Sequence, residues 1–151
     1  MNSWTIRRAT CRIIALAVFA VGAAACDVVA SKYANLDEAR KDRLFERGWL
    51  PEILPTSTTN IVASNNLDLN TSEGAFRFAP GDSDELRQRT QQGAPAAAPV
   101  HGWSSKRQSR RLEGFSEYSY QEGGSSWVFF CKFDQGLCEY TMWKSQPRST
   151  S

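Results

Sequence analysis

The 151-residue chain is short of the residues that most catalytic and metal chemistry uses. It has one histidine and four cysteines, no apolar run of membrane-spanning length, and no strong charge of either sign. A single histidine and no Cys/His set leave a zinc site without ligands. Four cysteines are too few for a disulfide-dense miniprotein. Without Arg7, Arg8 and Arg12, 18 basic residues fall to 15 against 16 acidic ones, and net charge moves from +2 to −1. The rest of the chain therefore lacks the basic excess of a nucleic-acid binder, and no nucleic-acid partner is expected. No repeat at solenoid or propeller periods is visible. What is present is 41% apolar residues and 11% aromatics, enough for one folded domain.

The N-terminus reads as an address. Residues 2–12 are polar with three arginines, residues 13–25 (IIALAVFAVGAAA) carry no polar side chain, and Cys26 and Asp27 follow. That is the basic, apolar and small-residue order of a secretory signal. Thirteen helical residues reach about 20 Å against roughly 30 Å of hydrocarbon, and a longer span would place Asp27 in or near lipid.

Ala23-Ala24-Ala25-Cys26 resembles the lipobox of bacterial lipoprotein precursors, with Ala23 where leucine is commonest. The resemblance implies diacylglyceryl transfer to the Cys26 sulfur, cleavage before Cys26 and acylation of the new amine. Residues 1–25 are then the signal and 26–32 a lipidated tether. Two or three acyl chains hold a protein stably on a bilayer, where one holds it marginally. In this class Asp27 favours retention at the inner membrane, on its periplasmic side. The same alanines also suit ordinary signal cleavage and a secreted product, and an uncleaved anchor is a further alternative. With Cys11 lost and Cys26 lipidated, Cys131 and Cys138 remain as an even pair in an oxidising compartment.

Asn35-Leu-Asp-Glu38 fits a capped helix start, and Gly48, Trp49 and Pro51 fit its end, which predicts one main helix over residues 36–47. Residues 48–55, with Pro51 and Pro55, read as an extended connection that staples this helix to the core. The 47–55 run resembles a stretch in small, uncharacterised bacterial envelope proteins, which implies no assigned activity. Residues 58–69 and 74–78 read as strands around a polar turn, and Asp82 with Glu85 as the capping box of a short exposed helix. Residues 91–111, rich in Gly, Pro, Ala, Ser and positive charge, read as a mobile insertion.

Residues 115–121, 126–133 and 137–143 read as three strands. Placing Cys131 directly across from Cys138 pairs 130 with 139 and 128 with 141, and requires an even-numbered turn. Trp127, Phe129, Cys131 and Phe133 then share an apolar face with Cys138, Tyr140 and Met142, the other face being mixed. The expected fold is α+β: one main helix on an antiparallel sheet of about five strands, ending in a disulfide-bridged hairpin meander. The domain spans 33–145, with a disordered tail at 146–151.

His101 sits in a Gly/Pro-rich loop, a poor platform for a triad base. Asn66, Asp68, Asn70 and Ser72 alternate like the first ligands of a calcium loop, but the twelfth position is Arg77, where a glutamate belongs. Neither a cofactor nor a metal is expected. Lys106, Arg107, Arg110 and Arg111 form a basic cluster able to touch anionic headgroups. The reading is a membrane-anchored lipoprotein, bound to lipid through Cys26, with a non-enzymatic domain for an envelope partner. Trp103, His101 and the four basic residues are its candidate contacts. An inhibitor or immunity factor acting on an envelope hydrolase or toxin through the 100–103 loop is a second reading, and a periplasmic hydrolase a third.

Overall fold

Alternating apolar positions govern most of the chain, and the computed structural model, which describes residues 28–144, arranges them as seven antiparallel strands. They are β1 (Val28–Asn35), β2 (Thr59–Asn66), β3 (Thr71–Arg77), β4 (Gln91–Gln92), β5 (Ser116–Glu122), β6 (Ser125–Lys132) and β7 (Leu137–Lys144). Their order across the sheet is β1-β2-β3-β7-β6-β5-β4. Three short helices accompany them: α1 (Leu36–Lys41), α2 (Asp84–Arg89) and α3 (Trp103–Leu112). The fold class is α+β, with a sheet two strands wider than the sequence indicated. The signal region 1–25, Cys26 and the 146–151 tail lie outside the described residues.

The bridged hairpin has the expected register. Cys131 pairs with Cys138, Phe130 with Glu139 and Val128 with Thr141, and the Cys131–Cys138 disulfide is formed. Lys132 pairs with Leu137, so the turn holds four residues, closed by Gly136 at φ 59°. Both cysteines are buried. Removing the bridge by Cys131→Ala with Cys138→Ala is expected to lower stability by about 2.5 kcal/mol in urea unfolding, from the entropy of closing a loop of this size.

The main helix is shorter than its sequence suggests. Asn35 accepts a hydrogen bond from the Glu38 amide at 3.1 Å, and the Glu38 carboxylate reaches back to the Ala34 amide at 2.7 Å, so the start is capped as expected. At Arg43 the chain turns left-handed (φ 61°), with Arg43 N–H on Arg40 O and Leu44 N–H on Ala39 O. A second closure of the same kind follows at Gly48 (φ 70°), where Gly48 N–H meets Phe45 O and Trp49 N–H meets Leu44 O. Two helix endings in succession replace one twelve-residue helix. Arginine tolerates the left-handed region poorly, and its exposed pair with Glu46 contributes little. Arg43→Gly is therefore expected to raise stability by roughly 0.5–1 kcal/mol in urea melts.

The connection after Gly48 staples as expected. Trp49, Leu50, Ile53 and Leu54 are buried beside Ala39 and Leu44 against Ile61, Phe76, Phe129, Tyr140 and Met142. Burying a side chain of this size stabilises by about 1.5–3 kcal/mol. The Trp127 indole donates to Trp49 O at 3.3 Å, fixing the connection to β6.

Four further expectations need correction. Residues 28–32, read as tether, belong to β1, which pairs with β2 along its length although only Tyr33 in it is buried. The polar turn lies at residues 67–70, and Thr71 to Gly74 already belong to β3. Asp82 does not cap α2; its carboxylate accepts from the Thr56 hydroxyl and the Ser57 amide instead. Those bonds, with the Ser57 hydroxyl first, hold the Asp82 carboxyl below its usual range. Residues 91–111 are not an open insertion. They carry β4 and α3, and α3 covers the second face of the sheet, where Trp103 packs with Phe115, Val128 and Phe130.

Candidate functional site

Helix α3 (WSSKRQSRRL) has one buried side chain, Trp103, and attaches to the sheet mainly through charge. Residues 106, 107 and 110 follow Trp103 at the spacing of one helix face. Lys106 Nζ meets the Glu73 carboxylate at 2.8 Å and the Thr141 hydroxyl at 2.6 Å. Arg110 joins Glu139 at 2.7 Å and Glu113 at 2.8 Å. Arg107 and Arg111 each make two hydrogen bonds to the buried Glu117 carboxylate, at 2.8–3.1 Å. Burial alone would raise the Glu117 carboxyl, but the two guanidinium groups outweigh it and hold it below its ordinary range. All four residues of the basic cluster are thus engaged within the molecule, with Arg111 the most exposed.

Trp103 ends one side of a cleft on this face. Its indole donates to Pro95 O at 3.0 Å and meets the Trp143 ring edge-on, with centroids 5.9 Å apart. Beyond it, α3 leaves the sheet bare over a space of about 440 Å³. Pairing of Ser119 with Val128, and of Ser126 with both Gln121 and Trp143, puts these five side chains on one face as its floor. Gln91 and Pro95 form one wall, and Arg89 lies at the rim beside β5, where the Tyr120 ring turns to the other face and packs against Trp127. Arg89 donates to the Tyr120 hydroxyl at 3.2 Å and lies 3.5 Å from Glu85.

The lining holds no carboxylate, histidine or thiol. It offers hydroxyls, two carboxamides, a guanidinium and an indole, the means of recognition rather than of proton transfer. Desolvation and a hydrogen bond with Glu122 push the Tyr120 hydroxyl up, so at neutral pH it stays protonated. His101 lies exposed in the turn leading into α3, outside this lining. Among the described residues no cluster of three or more His, Cys, Asp and Glu side chains converges as a metal site. The calcium-like residues diverge: Asn66 accepts from the Leu69 amide, while Ser72 donates to Asn65 in the interior.

Of the residues singled out in the sequence, the structure brings Trp103, Lys106, Arg107, Arg110 and Arg111 together on α3 and leaves His101 apart. It adds Arg89, Gln121, Ser126 and Trp143, which sequence reading missed. Their signal was present in the mixed face of the last two strands, where Trp143 stands beside Ser126 next to a Gly-Gly-Ser turn.

Comparison with known proteins addresses the other half of the sheet. Residues 27–77 match the family model of the YbbD head domain. This is an uncharacterised bacterial domain. The head-domain match takes in β1, α1, the stapling connection, β2 and β3, about a third of the chain, and includes the 47–55 run. The cleft and α3 lie beyond it. No curated protein and no solved structure matches the chain.

Proposed function

We propose that this protein is a bacterial lipoprotein held by lipid on Cys26, on the periplasmic side of the inner membrane, whose folded part is a non-enzymatic binding domain for an envelope partner. The observation that carries the binding reading is the cleft floored by Trp143, Ser126, Gln121 and Ser119 beside Arg89. It offers an indole and a valine set among hydrogen-bonding groups, which suits a protruding protein loop or another polar ligand with an apolar face. The lipobox-like run and its following aspartate support the anchor and its side. No described helix is long and apolar enough to cross a membrane.

Metabolic labelling with a palmitate analogue tests the anchor: the parent should label and fractionate with membranes, and Cys26→Ala should do neither. Cross-linking on intact cells followed by detergent extraction tests the binding domain. A partner captured by the parent and lost with Trp143→Ala is the expected result, and the same capture by both would remove the cleft from the function. The second reading, an inhibitor working through residues 100–103, is weakened because Trp103 is 4% exposed and serves as the anchor of α3. If the protein is an inhibitor, the cleft is the better contact. A hydrolase would need an acid–base pair that the cleft lining does not supply.

A further inference from the structure

Strand register places the first described residues and two exposed leucines at one end of the sheet. Val28 pairs with Asn66, Asn66 with Thr71, Thr71 with Trp143, and Trp143 with Ser126, a single row across five strands. The β2–β3 turn, residues 67–70, projects just past that row. Leu67 is 50% exposed and Leu69 69%, with Val28 and Val29 half exposed beside them. Four of the six large apolar side chains exposed among the described residues therefore sit at this end, the others being Val62 and Leu112.

The turn is held in shape. Asn66 Oδ1 accepts from the Leu69 amide at 3.0 Å, Asn70 takes the left-handed conformation, and the Lys144 amide donates to Asn70 O at 3.0 Å. Neither leucine belongs to either hydrophobic core. A fixed turn presenting two leucines to water is costly unless something apolar covers them.

The sequence indicates what covers them. Cys26 precedes Val28 by two residues, a reach of at most about 7 Å. With β1 beginning at Val28 there is no long tether, so lipid on Cys26 brings this end of the sheet to the bilayer. We infer that Leu67 and Leu69 dock at the headgroup–acyl boundary, fixing the orientation of the domain on the membrane; this rests on the lipid-anchor reading. Asp68 between them confines the contact to the interface, since a carboxylate is expensive in hydrocarbon. The row ending at Trp143 and Ser126 then sets the cleft at the membrane-facing end of the sheet.

The test uses the full-length protein, extracted from membranes and reconstituted in vesicles of phosphatidylethanolamine and phosphatidylglycerol. A nitroxide is placed at Leu69→Cys or, at the opposite end, Asp134→Cys, with the disulfide and the lipid occupying the other mature cysteines. Collision rates with oxygen and with a water-soluble nickel chelate report depth. The expected result is a label at position 69 favouring oxygen and one at 134 favouring nickel. Adding Leu67→Ser should lower the docked-to-undocked ratio at position 69 about tenfold. Two aqueous labels on a lipidated, membrane-bound protein would overturn the docking and leave the anchor standing. Shielding of position 69 from both reagents would mean a protein contact and would also overturn it. An unlipidated mature protein in the aqueous fraction would remove the anchor, and the docking with it.

Discussion

Replacing Gly74 with alanine is expected to cost about 3–4 kcal/mol, a large share of the stability of a domain this size. Gly74 lies in β3, and a Cβ there would stand 2.0 Å from Val62 O and 2.6–2.8 Å from the Tyr140 ring. The Val62 contact is backbone and cannot swing aside, so either β2 separates from β3 or the whole strand shifts. Tyr140 cannot yield cheaply either. It is fully buried, packed in the main core, and its hydroxyl shares a hydrogen bond at 3.2 Å with Ser72, which in turn donates to Asn65 at 2.6 Å. Desolvation pushes the Tyr140 hydroxyl far up, so this chain stays neutral across any ordinary pH. Alanine at 74 would displace the ring, break the chain and leave its polar atoms buried without partners. Urea unfolding measures the loss. Gly81→Ala, where a Cβ meets nothing within 4 Å, is the control and should stay within about 0.5 kcal/mol.

Where one constraint fixes many positions, the sequence is readable. A bridge between Cys131 and Cys138 sets the register of β6 on β7, and with it which residues enter the main core. The helix start at Asn35 and the closure at Gly48 were equally legible, because each uses residue types whose backbone or side-chain chemistry is specific to that position. The break at Arg43 was not, since an arginine in a left-handed conformation carries no mark in the sequence. β1 escaped for a different reason: an edge strand buries one face against a single neighbour, and here only Tyr33 shows it.

α3 was hidden because its docking does not look hydrophobic. One tryptophan supplies the apolar contact, and carboxylates on three strands supply the rest. Glu73, Glu117 and Glu139 stand on one face of β3, β5 and β7, while Glu113, the C-cap of α3 itself, pairs with Arg110 within the helix end. That pattern of charge is visible only after the strands are paired. The cleft followed α3 out of reach, being the part of the second face that the helix leaves uncovered.

This mode of docking makes Glu117 the position where one change should release the helix. Glu117→Ala is expected to lower stability by about 2–3 kcal/mol, because it strands Arg107, which is mostly buried, and removes the partner of Arg111. Arg107 keeps only its 3.0 Å bond to Pro95 O. Hydrogen exchange should quicken in residues 103–112 while β6 and β7 stay protected, and the cleft wall at Pro95 should loosen with them. The pH dependence gives an independent check of sign. The folded Glu117 carboxyl titrates below its unfolded value, so its contribution is complete above about pH 4.3 and is lost as pH falls through the folded value. The parent should therefore show a steeper acid loss of helix protection than Glu117→Gln, which keeps the shape but has no proton to take up. Equal acid profiles in the two proteins would show that charge on Glu117 does not hold α3 to the sheet.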